Sequence, residues 1–151
     1  MTARPAGAAS CRPVHEVACA LSLGAAGLTC TQAGVELLID HGCWLYRADF
    51  TALITLDDSA ASPLAFVDWP AAIAALHAGR LPCSGGERRM LQVAASIAGA
   101  VPVDLSDALT GLDRIGIALV ATAVLHAAGH GEQVVRPPAD VPPLPGGGPS
   151  R

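Results

Sequence analysis

A chain that is 52% hydrophobic but only 3% aromatic has to build its core from Ala, Leu, Val and Ile. Strands favour aromatic and β-branched side chains, so this composition points to closely packed helices over a sheet. The 151 residues suit one domain with a modest core. Charged residues make up 15% of the chain, against about 25% in an ordinary globular domain. A disordered, highly charged polypeptide is thereby excluded.

The formal net charge is -4, and all nine basic residues are arginine. The only adjacent pair is Arg88–Arg89. A nucleic-acid binder carries a basic patch or stripe; none is visible in the sequence, and nucleic acid is not the favoured partner. The absence of lysine beside abundant Ala, Gly and Pro points to a GC-rich bacterial coding sequence. Cys11, Cys19, Cys30, Cys43 and Cys83 are odd in number, irregularly spaced and without a CxxC pair, which reads as reduced thiols in a cytoplasmic protein. The uncharged stretch 17–35 is diluted by Gly24, Gly27, Thr29, Thr31 and Gln32. The apolar stretch 115–125 falls short of the roughly 20 residues a membrane span needs. The expectation is a soluble, cytoplasmic chain with no membrane partner.

Three sections follow from composition. Residues 1–13 are expected to be a flexible lead, 14–130 a helical domain, and 131–151 a disordered tail rich in Pro and Gly, including Pro142-Pro143-Leu144-Pro145. Within the domain the fold class expected is all-α, a compact bundle of five or six short helices. Val14, Val17, Ala18 and Leu21 recur at helical spacing, as do Val35, Leu38 and Ile39. A third helical segment is expected over 47–54, followed by a loop through Asp57, Asp58 and Ser62-Pro63. Asp68 with Pro70 reads as a helix start and Gly79 as its end. Ser84-Gly85-Gly86-Glu87 fits the capping box, in which serine and glutamate satisfy each other's backbone donors. Asp104 and Asp113 begin two further helices. The last, 114–128, is apolar on nearly every side and is expected at the centre of the bundle.

No G-x-S-x-G, H-E-x-x-H or G-x-G-x-x-G pattern is present, so no catalytic residue is assigned. Four weaker constellations remain. His15, Cys19, Cys30, His41 and Cys43 are candidate metal ligands, since zinc accepts thiolate and imidazole. Ser84, Gly85, Gly86, Arg88 and Arg89 are a candidate anion site at a helix start, although Glu87 opposes that charge and capping alone accounts for the motif. Residues 104–128 have the layout of a helix-turn-helix, the alternative in which the chain is a DNA-binding regulator. Trp44 and Trp69 are candidate interface anchors, and also the largest pieces available for the core. The favoured function is a small non-enzymatic accessory or regulatory protein acting through protein–protein contacts, including self-association as a homodimer, because a domain this small cannot hide so many apolar residues.

Overall fold

The computed structural model describes residues 12–130 together with Ala9. Among these residues the order is α1 (Val14–Gly24), α2 (Thr29–His41), a 3-10 turn (Trp44–Tyr46), α3 (Ala48–Thr51), β1 (Ile54–Asp57), β2 (Leu64–Val67), α4 (Trp69–His77), α5 (Gly85–Gly99), α6 (Leu105–Thr110) and α7 (Arg114–Ala127). The fold is mostly helical. The tail expected over 131–151, and the lead over 1–13 apart from Ala9, Arg12 and Pro13, lie outside the described residues.

Helix starts follow local chemistry. Asp68 accepts the Ala71 amide at 2.9 Å, Asp104 accepts those of Ser106 and Asp107, and Asp113 accepts that of Gly116 at 2.7 Å. Each satisfies amides that have no partner inside the helix. Gly42 ends α2 at φ +70°, a left-handed conformation that glycine adopts without steric cost.

Two expectations are corrected. The chain is not all-α: β1 and β2 pair antiparallel, Ile54 opposite Val67 and Asp57 opposite Leu64. The segment expected to be helical over 47–54 makes one helical turn, α3, and then straightens into β1. Ile54 and Leu56 are buried while Thr55 and Asp57 are exposed, the alternation of a strand covered on one face. The hairpin lies against α1, where a side chain at Gly24 would run into the Ala65 carbonyl. One terminal nitrogen of Arg12 donates to both carboxylate oxygens of Asp58 in the hairpin loop, at 2.8 and 2.9 Å.

The second correction concerns the centre. Of α7 only Gly116, Val120 and Ala123 are buried, so it packs by one face and is not enclosed. The helix flanked on two sides is α2. Its Gly34 meets Ala94 and Ala98 of α5, and its Glu36 meets His126 of α7. Both neighbours run antiparallel to α2: Cys30, near its start, faces the Ala127 carbonyl, while His41, at its end, shares a cleft with Glu87 and Gly116. Small residues at Ala33 and Gly34 let helices approach α2 closely. Apolarity on every side of α7 was a poor guide to burial, because its outer face is covered by nothing in the described chain. The core around α2 is filled by Leu21, Leu38, Trp44, Phe50, Met90 and Leu91.

Candidate functional site

Where the end of α2 meets the starts of α5 and α7, a cleft of about 220 Å³ opens, lined by His41, Ser84, Glu87 and Asp113 over Met90 and Leu112. The capping box positions one wall. Ser84 Oγ accepts the Glu87 amide at 3.2 Å, and Glu87 Oε2 accepts the Ser84 amide at 2.8 Å. Asp113, fixed by its own cap on α7, forms another wall. His41 is the last residue of α2, delivered here by helix length and the turn at Gly42.

The electrostatics are set by burial and by Glu87. Burial lowers the pKa of His41, although Glu87 and Asp113 both pull it upward, so the imidazole is neutral at pH 7. Its Nδ1 is buried and has no hydrogen-bond partner, an arrangement that typically costs about 1–3 kcal/mol. The Cys43 thiol donates to Glu87 Oε1 at 2.9 Å. Burial first, and then this bond, push Cys43 up to about 11, while the same bond, followed by the Ser84 amide, holds Glu87 below the ordinary carboxylate range. A thiol that keeps its proton is not a nucleophile. The cleft therefore presents acceptors, not a Cys–His nucleophilic pair.

A prediction follows for the thiols. Cys19 and Cys30 are exposed and are expected to react with iodoacetamide first near neutral pH, with Cys43, half-buried and bonded to Glu87, far behind. Mass spectrometry of partly alkylated protein checks the order; early labelling of Cys43 would contradict the Glu87 bond. The sign of the linkage is fixed. The folded chain holds this proton more tightly than the unfolded chain, so the contribution is complete below the ordinary value of 9.0 and is lost as pH rises to about 11.

The residues singled out from sequence are only partly brought together. Cys43 bonds Glu87, and His41 lines the same cleft as Glu87. Cys30 sits at the far end of α2, roughly 16 Å away by helical rise, near Ala127. His15 and Cys19 are exposed on α1. Among the described residues no group of three or more His, Cys, Asp or Glu side chains is placed to hold a metal ion, so the five candidate ligands form no zinc centre there. In the anion set Glu87 closes over the start of α5, Arg89 lies against Gly85 and Gly111 and donates to the Asp107 carbonyl at 2.9 Å, and Arg88 is exposed.

Neither tryptophan is a surface anchor. Trp44 is 0% and Trp69 6% exposed, and both belong to the chain's own core. The α6–turn–α7 layout is present, but the polar side chains on the exposed part of α7 are Arg114 and Thr122, set among Ile115, Ile117, Ala118, Ala121 and Val124. Base and phosphate readout needs more donors than that. No helix among the described residues is long and apolar enough to cross a membrane.

Sequence reasoning gave Glu87 and Asp113 capping roles and missed their convergence with His41. Caps are written within four residues, whereas the cleft joins segments far apart in the chain. Comparison with family models, curated proteins and solved structures found no match to this chain.

Proposed function

We propose that this chain is a small non-enzymatic accessory or regulatory module that works through protein–protein contacts, and that it self-associates as a homodimer through the outer face of α7. The observation that carries this reading is the exposure of apolar residues there: Ile115 is 70%, Ile117 40% and Val124 52% exposed. Ile117, Ala121 and Val124 follow i, i+4, i+7, so they form one line on the helix. Isolated exposed apolar residues are ordinary, but a line of them on one helix marks a contact surface.

A second copy is the occupant that fits. The only formally charged residue of α7 is Arg114, at its start, so two such helices meet without like charges along the line. Ala118 and Ala121 leave room for close approach. An isologous pairing with the helices antiparallel places the same patch on both sides and closes the assembly. The helix has 14 residues, giving a length of roughly 21 Å, and one face of it buries less than the roughly 800 Å² per partner of a standard interface. A micromolar dimer is therefore expected, not an obligate one.

Native mass spectrometry and light scattering on the purified chain, beside Val124→Glu, test the reading. Wild type is expected to show a concentration-dependent dimer and Val124→Glu a monomer with an unchanged circular dichroism spectrum. A wild-type chain that stays monomeric up to the highest soluble concentration overturns self-association. So does a Val124→Glu chain that dimerises as well as wild type.

A further inference from the structure

We propose that the apolar groove where α1, α2, β2 and α4 meet is the docking site of the chain's own Pro142-Pro143-Leu144-Pro145 segment, taken up in the polyproline II conformation. The groove holds about 180 Å³ and is lined chiefly by Leu21, Val35, Ala65, Phe66, Trp69 and Ala98. No charged side chain lines it, and the segment carries none. Phe66 is 45% exposed at its edge, a large ring left open on an otherwise covered hairpin face.

A polyproline II strand makes no internal hydrogen bonds, so its carbonyls need outside donors, and aromatic-lined grooves are where such strands bind. Trp69 supplies the donor. It is 6% exposed, its Nε1 has no hydrogen-bond partner among the described residues, and that atom, unlike Nε1 of Trp44, is not sealed from solvent. The other side-chain donor of the lining, Thr31 Oγ1, is already spent on the Ala98 carbonyl at 3.4 Å. A carbonyl of the segment meets the indole N–H, and a proline ring packs on Phe66.

The path of the chain brings the segment within reach. After α7 the backbone turns at Gly129, φ +82°, and the His130 amide donates to the Leu125 carbonyl at 2.8 Å. The Cys30 thiol lies 4.0 Å from the Ala127 carbonyl, and Thr31, the next residue, lines the groove. Residues 131–141 separate His130 from Pro142; at about 3.1 Å each they span roughly 34 Å, well beyond the one or two helical turns of about 5.4 Å that the path requires. Such a tether holds the segment at an effective concentration on the order of millimolar, so a weak contact fills the groove. Spacing selects the segment: Pro142 and Pro145 stand three apart, one polyproline II turn, whereas neither Pro137 nor Pro138 has a proline three residues on.

The test is NMR on the full chain beside Leu144→Asp, a substitution outside the core. The chain has two tryptophans, and the indole peak of Trp69 is identified by its loss in Trp69→Phe. In Leu144→Asp this indole proton is expected to exchange with water at least tenfold faster than in wild type, with the amides of Gly24 and Phe66 displaced. A synthetic peptide of residues 137–147, added to Leu144→Asp, is expected to return those peaks toward their wild-type positions in a saturable way. Identical indole exchange and groove amides in the two chains overturn the proposal, as does a peptide of scrambled order that acts equally well. Groove peaks of the wild type that move on dilution assign the occupant to a second copy and overturn docking within one chain.

Discussion

Replacing Trp44 with alanine is expected to destabilise the fold by about 3–5 kcal/mol, the range for emptying a large buried aromatic site. Trp44 is fully buried. Its ring lies 5.3 Å from that of Phe50 at a tilt of 50°, and the Arg47 guanidinium sits 4.8 Å above it. Arg47 is held there by Asp49 and by the Pro82 carbonyl, so one side chain links the 3-10 turn to the lead-in of α5. Truncation removes the packing and leaves that guanidinium over a void. The indole also carries a liability: its Nε1 is buried without a partner. Trp44→Phe removes that donor, recovering roughly 1–3 kcal/mol, against roughly 1 kcal/mol for the smaller ring's lost packing. The phenylalanine variant is therefore expected near wild type. Urea unfolding followed by far-ultraviolet circular dichroism separates the two. If phenylalanine proves as damaging as alanine, the indole N–H makes a hydrogen bond that the fold depends on.

The second large effect is at Gly34, and it has the opposite sign from what helix propensity alone requires. Alanine is favoured over glycine in a helix interior by about 1 kcal/mol. In this helix, though, a Cβ on residue 34 would lie 2.6 Å from the Ala98 Cβ and 2.7 Å from the Ala94 carbonyl oxygen. Two of the three closest atoms belong to the α5 backbone, which cannot rotate out of the way. The helices must separate, and overpacking of this kind costs about 1–3 kcal/mol. Gly34→Ala is expected to be destabilising by up to about 2 kcal/mol once propensity offsets part of the clash, and Gly34→Leu to prevent native packing. Thermal melts of both variants provide the comparison. A Gly34→Ala chain more stable than wild type would mean that α2 and α5 can separate at little cost.

Legibility in the sequence tracked the range of the interaction. Asp68-Trp69-Pro70, Ser84–Glu87, Asp104 and Asp113 announce helix starts within three or four residues, and the structure places a cap at each. The hairpin was not legible. Its strands are four residues each, so the alternation of Ile54 and Leu56 with Thr55 and Asp57 is too brief to outweigh an Ala- and Leu-rich composition. The position of α7 misled for a different reason. An apolar surface states that something covers it, but not whether the cover is the same chain. His41, Glu87 and Asp113 each had an ordinary local explanation, and their shared cleft exists only once α2 runs antiparallel to α5 and α7.

That arrangement of α2 has a consequence for how the chain acquires its fold. Both flanks of an early helix are supplied by late ones: Gly34 waits for Ala94 and Ala98, and Glu36 for His126, 90 residues further on. Loop closure over such separations must precede the contacts that repay it, which slows folding relative to bundles whose helices pair with their sequence neighbours. During synthesis from the N-terminus, Leu37 and Leu38, buried in the finished fold, stay without their full cover until α5 and α7 have left the ribosome. The nascent chain thus carries this helix with its buried face incompletely covered for most of its own production, and its yield in a cell depends on whatever shields that face in the interval.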